Sequence, residues 1–246
     1  LELHYSEGDK LFVPIEESAK LSKYIGADTP KLTRLHSPEW KRVLKKTNEE
    51  VEKISQELLQ LYANRSLVKG YAFLPFPKEE AIFSQAFPYP HTEDQLQSIQ
   101  EILQDMAMPE PMDRLLMGDV GFGKTEVAIR AAFKSVVNGK QVAVLVPTTI
   151  LALQHFKTFS ERLKEFGVKV DYINRFRSTK EKNTIMRNVE EGKTEILIGT
   201  HAILNKDIKF KDLGLLIIDE EQKFGVAAKE RLRSIQVNVD TLTLTA

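Results

Sequence analysis

Apolar residues recur along this chain in three rhythms, and each change of rhythm marks a change of architecture. The opening stretches Leu1-Glu-Leu-His-Tyr5 and Lys10-Leu-Phe-Val-Pro14 alternate apolar with polar around Ser6-Glu-Gly8-Asp9. Alternation with period two predicts two strands about a turn. Two strands alone are marginally stable in water, so residues 1–26 are expected to be the remnant of a small β module. From Pro38 the period lengthens: Trp40, Leu44, Val51, Ile54, Leu58 and Leu61 or Tyr62 recur at helical steps as far as Gly70. This predicts an amphipathic helix of about 30 residues, with Ser37 as cap and Pro38 at the first helical position. Its other face carries Lys41, Arg42, Lys45 and Lys46, then Glu49, Glu50 and Glu52, which reads as a solvated face. Residues 27–70 are therefore expected to be a linker built on one long helix.

From Tyr71 onward short apolar runs alternate with helical patterns, the signature of βαβ units and a parallel sheet. Strands are predicted at Leu115–Met117, Gln141–Val146, Lys169–Ile173, Glu195–Gly199, Leu215–Ile218 and Thr241–Thr245. Helices are predicted at Glu126–Val137, Ile150–Phe166 and Lys180–Glu190. Pro75, Pro77, Pro88 and Pro90 mark a loop-rich approach to this region. Residues 71–246 are expected to form one α/β lobe, a parallel sheet with helices on both faces.

Composition narrows the picture mainly by exclusion. A chain of 246 residues, 42% hydrophobic, can bury a full core. The formal net charge is zero, so any nucleic-acid partner must be met by a local basic stripe rather than a global field. Without cysteine, neither a disulfide framework nor a cysteine-based metal site is available. No signal-like opening and no apolar run of membrane-spanning length occur, so a cytoplasmic protein with no membrane partner is expected.

The chemistry is concentrated in two places. Gly118-Asp119-Val120-Gly121-Phe122-Gly123-Lys124-Thr125 fits G-x-x-x-x-G-K-[ST], a loop that cradles nucleotide phosphates on backbone N–H groups. A predicted strand precedes it and a helix follows, starting at Glu126, which is expected at the nucleotide with the loop, so the helix N-terminus adds positive potential for the anion. Lys124 would reach the β- and γ-phosphates, and Thr125 would offer its hydroxyl to Mg²⁺. Downstream, Leu213-Gly-Leu-Leu-Ile-Ile-Asp219-Glu220-Glu221-Gln222 is an apolar run ending in acids. Such a run suits a strand buried on both faces, with Asp219 at the carboxyl end where open α/β sheets bind ligands. Asp219 would hold Mg²⁺, and Glu220 would act as general base on the attacking water. Together these read as a P-loop NTPase lobe using ATP and Mg²⁺.

Asp219-Glu-Glu-Gln222 resembles the DEx(H/Q) signature of superfamily 2 helicases and translocases, and further stations follow in order. Phe87-Pro-Tyr-Pro-His-Thr92-Glu-Asp-Gln95 resembles the adenine-recognising Q motif, which implies Phe87 and Gln95 at the base. Val144-Leu-Val-Pro147-Thr148-Thr149 and Ile198-Gly199-Thr200-His201 resemble stations that touch the nucleic-acid backbone, implying DNA contacts by Thr148, Thr200 and His201. Gln154 and His155 at the start of the next helix are left open between function and structure. Thr243-Leu-Thr245-Ala246 resembles the opening of motif III. The run Asp113–Arg130, with Arg175-Phe-Arg-Ser178 and Phe210-Lys-Asp-Leu-Gly214, is similar to the bacterial transcription-repair coupling factors, with RecG-type helicases as near relatives.

This resemblance implies a RecA-like fold and a double-stranded DNA translocase that removes stalled RNA polymerase. Arg175 and Arg177 flank Phe176 and could track a DNA backbone, or form an ordinary exposed loop with ion pairs. Leu11 and Phe12 would belong to a polymerase-docking face or pack in their own module. In such motors a second RecA-like lobe supplies an arginine finger, worth roughly 10³–10⁵ in turnover in related phosphoryl transfer. The chain stops at Ala246, so slow turnover is expected of it, and weakened polymerase binding is expected because the β module's upstream strands are missing. The departure is Gln222 where this family usually carries His, which puts coupling to motif III in question. The competing readings are a RecG-type branched-DNA helicase lobe and a non-catalytic scaffold carrying a nucleotide fold.

Overall fold

A computed structural model describes residues 1–21, 38–205, 207–235 and 238–246. The expected module boundary at residue 26 and the Ser37 cap lie outside the described residues. The chain divides into two compact units, Leu1–Gln60 and Leu61–Ala246.

In the first unit, β1 (Glu2–His4) pairs antiparallel with β2 (Lys10–Phe12), with Leu3 opposite Leu11. A 3₁₀ turn over Ser6–Gly8 joins them, and Lys10 pairs with Glu2 at 2.5 Å. Leu11 and Phe12 are exposed, Phe12 at 71%, so neither is buried in a core of this unit. Helix α1 (Pro38–Leu67), whose last seven residues are counted with the second unit, has the 30 residues that the apolar spacing predicts. Leu44 and Val51 on its stripe are exposed, and Lys45–Glu49 and Lys46–Glu50 pair one turn apart on its polar side.

The second unit is the α/β lobe. Its strands are β3 (Asp113–Met117), β4 (Gln141–Leu145), β5 (Val170–Ile173), β6 (Ile196–Gly199), β7 (Leu213–Asp219) and β8 (Asp240–Thr245). They form one all-parallel sheet in the order β3-β8-β7-β4-β6-β5. Helices α2 (Pro77–Gln85), α3 (Glu93–Asp105), α4 (Lys124–Val137), α5 (Thr149–Leu163), α6 (Thr179–Glu190) and α7 (Val226–Ile235) accompany it.

The pleat sorts each strand's side chains into two cores. Val142, Val144, Ile196, Ile198, Leu215 and Ile217 join a cluster with Phe83, Ile102, Phe133 and Phe159 of α2 to α5. Their neighbours Ala143, Leu145, Leu197, Leu216 and Ile218 join a second cluster with Ile185 and Val189 of α6 and Leu232 of α7. Strands buried on both faces read as continuous apolar runs because alternate residues serve opposite layers. Full burial of each such side chain is worth about 1.5–3 kcal/mol, which locks the register.

All six predicted strands are present: β4, β5 and β6 each fall one residue short of the expectation, and β3, β7 and β8 extend one to three residues beyond it. The proline-marked region read as loop-rich also holds α2, while Pro88 and Pro90 stand in the loop that leads to α3. Pro77 occupies the first turn of α2, where a missing N–H costs nothing. Thr92 and Gln95 form a capping box on α3, and Ile99 and Ile102 supply its buried face. Helix α7 was also not anticipated.

Candidate nucleotide site and adjoining groove

Strand β3 runs straight into the phosphate loop, and α4 leaves it at Lys124. Gly121 and Gly123 adopt φ of +88° and +75°, a region that L side chains rarely enter. A Cβ on Gly123 would also collide with the Gln95 amide. Both glycines are thus demanded by the loop's path. The Lys124 ammonium donates to the carbonyls of Gly118 and Asp119, the latter at 2.9 Å, so the side chain lies along the inside of the loop. Thr125 opens α4, while Val120 and Phe122 stand exposed at the tip.

Gln95 touches this loop directly. Its Nε2 donates to the Phe122 carbonyl at 2.9 Å, and its Oε1 accepts from the Thr92 N–H at 3.1 Å. The amide expected to read a base edge therefore also splices α3 to the phosphate loop. Phe87 packs against Tyr89 and His91, with ring centroids 5.6 and 4.9 Å apart.

Strand β7 delivers Asp219 at its carboxyl end, and the next residue turns sharply. Glu220 sits at φ 55°, the one left-handed non-glycine residue among those described. That conformation costs roughly 1–3 kcal/mol and persists only where surroundings hold it. Here the Glu220 N–H donates to the Leu244 carbonyl at 2.9 Å, while the Gln222 amide donates to Glu220 Oε2 at 2.6 Å. Lys223 adds an ion pair at 3.3 Å. Gln222 also accepts the Thr245 hydroxyl at 3.5 Å, so Gln222 itself reaches the motif III strand. The Gly118 N–H donates to the Thr245 carbonyl at 3.2 Å. The end of β8 thereby holds the phosphate loop on one side and the acidic turn on the other.

Glu126 follows on α4. Its carboxylate is buried and taken by Arg130 at 2.8 Å and Arg162 at 3.1 Å, and its N–H donates to the Gly123 carbonyl. The side chain is the centre of a buried ion cluster behind the loop. Arg162 lies over Phe83 at 3.9 Å and Phe87 at 5.4 Å and donates to the Phe83 carbonyl. A buried charge needs such partners, because desolvation otherwise costs several kcal/mol. His91 lies beside this cluster. Burial, and then the Arg130 guanidinium, hold its pKa below the ordinary histidine value, with Glu126 opposing.

Across the same sheet edge, the ends of β4, β5 and β6 open into a cavity of about 790 Å³. Thr148, Arg175, Thr200 and His201, four of the five expected DNA-contacting residues, line it. Asn174, Lys182 and Asn183 line it too. Sequence reading missed these three, because only the turn between β5 and α6 brings them in. Arg177 takes the ion-paired alternative. It pairs with Glu181 at 3.1 Å and stacks on Tyr172 at 4.3 Å, and it is absent from the cavity lining. The Asn174 side chain forces this split by accepting from the N–H groups of both Phe176 and Arg177, which turns the chain between the two arginines.

No group of three or more His, Asp or Glu side chains is gathered as a cation site among the described residues. Asp219 and Thr125 would offer a carboxylate and a hydroxyl, hard oxygen donors of the kind that suit Mg²⁺.

A model of the DEAD/DEAH box helicase family matches residues 92–246. The chain belongs to that family. Among curated proteins it is 54% identical over its whole length to the transcription-repair-coupling factor of Bacillus subtilis (strain 168), covering 21% of that protein. It is 50% identical to that of Staphylococcus haemolyticus (strain JCSC1435), again over the whole chain and 21% of the relative. The chain thus spans about a fifth of the length of these relatives. A solved structure of RecG bound to a three-way DNA junction superposes on 75% of this helicase-family chain, and on 25% of its own, with TM-score 0.67 at 35% identity. The RecA-like fold expected from the motifs is the fold observed. No described helix is long and apolar enough to cross a membrane.

Proposed function

We propose that this chain is the ATP-binding first lobe of a double-stranded DNA translocase that displaces stalled RNA polymerase during transcription-coupled repair. One observation carries the reading: β8 clamps the phosphate loop and the Asp219-Glu220 turn side by side, next to a groove lined by Thr148, Arg175 and Thr200. The whole-length similarity to coupling factors supports the substrate and partner.

In this reading the loop's N–H groups and Lys124 bind the phosphates, and Phe87 and Gln95 meet the adenine. Thr125 and Asp219 would hold Mg²⁺, which when bound neutralises charge on the β- and γ-phosphates. Glu220 takes the proton of the attacking water, an arrangement for which its left-handed backbone aims the carboxylate. Gln222, bonded to both Glu220 and Thr245, ties that base to β8. The groove follows the DNA backbone without reading sequence, since phosphate contacts position rather than specify. Leu11 and Phe12, exposed in their own unit, belong to the polymerase-docking face, and a second RecA-like lobe completes turnover.

The test is binding of a fluorescent ATP analogue with Mg²⁺ to the unmodified chain and to Lys124→Ala, followed by ATP turnover with and without duplex DNA. Loss of one charged partner should weaken binding by about 2–5 kcal/mol. Equal binding by Lys124→Ala would remove the nucleotide site from the phosphate loop. Turnover should be slow and rise when a complementary lobe is supplied.

A further inference from the structure

Helix α5 carries three polar residues seven positions apart: Thr148 at its cap, His155 and Arg162. Seven residues make nearly two helical turns, so the three share one stripe. Thr148 lines the groove and Arg162 bonds Glu126 on the phosphate-loop helix. His155, between them, is buried, and its Nε2 lies 2.9 Å from Asp219 Oδ2. A carboxylate only accepts, so Nε2 carries the hydrogen and donates. The neighbours Ala152, Phe159 and Leu163 are buried and fix the helix, which leaves the imidazole little freedom to leave Asp219.

We propose that His155 is a positioning residue that sets the Asp219 carboxylate in the rotamer a divalent cation requires. The bond occupies Oδ2 and would leave Oδ1 for the cation. The inference rests on the Mg-nucleotide reading of the site and deepens it, because the motif itself assigns His155 no role. Partners that orient a metal-binding group typically set affinity by about 10- to 100-fold. A histidine that merely fills space would affect folding and leave cation affinity alone.

The experiment follows a fluorescent N-methylanthraniloyl ATP analogue binding to the chain as MgCl₂ is titrated, without DNA. Mn²⁺ electron paramagnetic resonance gives a second, activity-free readout of the cation. His155→Ala and His155→Phe should raise the half-saturating Mg²⁺ by about 10- to 100-fold while binding in EDTA is unchanged. His155→Asn, which keeps a donor, should recover part of the loss. His155→Phe keeps the packing volume and decides the matter if His155→Ala fails to fold. Mg²⁺-dependent binding that His155→Phe leaves unmoved overturns the role of His155 alone. Binding by the unmodified chain that equals that of Lys124→Ala overturns the site reading, and the role of His155 with it.

Discussion

The carboxyl edge of one sheet serves two regions, and they are built in opposite ways. On the side of β3, β8 and β7, the reactive residues are bonded to their own scaffold. Lys124 lies on loop carbonyls, Gln95 on Phe122, Asp219 on His155 and Glu220 on Gln222. On the side of β4, β6 and β5, the polar residues surround open space and bond one another sparingly. Thr148 caps α5, and Lys182 reaches only the Arg175 carbonyl at 3.5 Å. The first side suits chemistry, where a misplaced group loses much of its effect. The second suits a long polyanion that supplies its own oxygens along the groove. In the proposed reading, rigid placement and open cationic lining are different solutions to binding phosphate.

The largest expected break in this contrast is at Glu220. Glu220→Gln should lower ATP turnover by about 10²–10⁴-fold, the usual range for a general base, while the fluorescent analogue still binds. Retained phosphate release would show that the left-handed residue is not the base.

Next comes the buried scaffold behind the loop. Glu126→Ala leaves Arg130 and Arg162 buried without their shared carboxylate. The expected loss is about 3–5 kcal/mol of unfolding free energy, read from urea denaturation. A shift within error would mean that the cluster is solvated in solution.

The groove should respond more gently and separate its arginines. Arg175→Ala or Lys182→Ala should each reduce the slope of log binding constant against log salt by about 0.9 on duplex DNA. Arg177→Ala should leave that slope alone and lower the melting temperature instead. A changed slope for Arg177→Ala would return that residue to the interface.

The smallest effect concerns pH. The folded His91 pKa is lowered, chiefly by burial and then by Arg130, so below the ordinary value near 6.5 the unfolded chain binds the proton more readily. Stability should therefore be unaffected by this group above that value and decline as pH falls through it. Thermal melts of the chain and of His91→Gln across this range should converge at neutral pH and separate on acidification, the variant losing less.

Much of the site was legible because its residues are adjacent in the chain. The glycines at 121 and 123, Lys124 and the Asp219-Glu220 pair need only a local turn, so spacing alone gathers each half. The strands were legible because burial on both faces demands uninterrupted apolar runs such as Leu215–Ile218. Helices α2 and α3 were obscured by prolines that mark helix starts as readily as loops. The Thr92–Gln95 capping box was the available signal. The partners of Glu126 and Arg177 were not legible, because charge and motif position do not say which way a side chain turns.

By itself the sequence determined the parallel α/β lobe, the phosphate loop and the acidic turn, since local period and backbone sterics suffice for these. Only tertiary structure decided which partners complete them. Parallel strands bring together residues far apart in the chain, so β8 comes to lie between loop and acid, and His155 to lie against Asp219. The same packing drew Glu126 into the interior, where an unpaired carboxylate could not remain charged, and left Arg175 rather than Arg177 lining the groove.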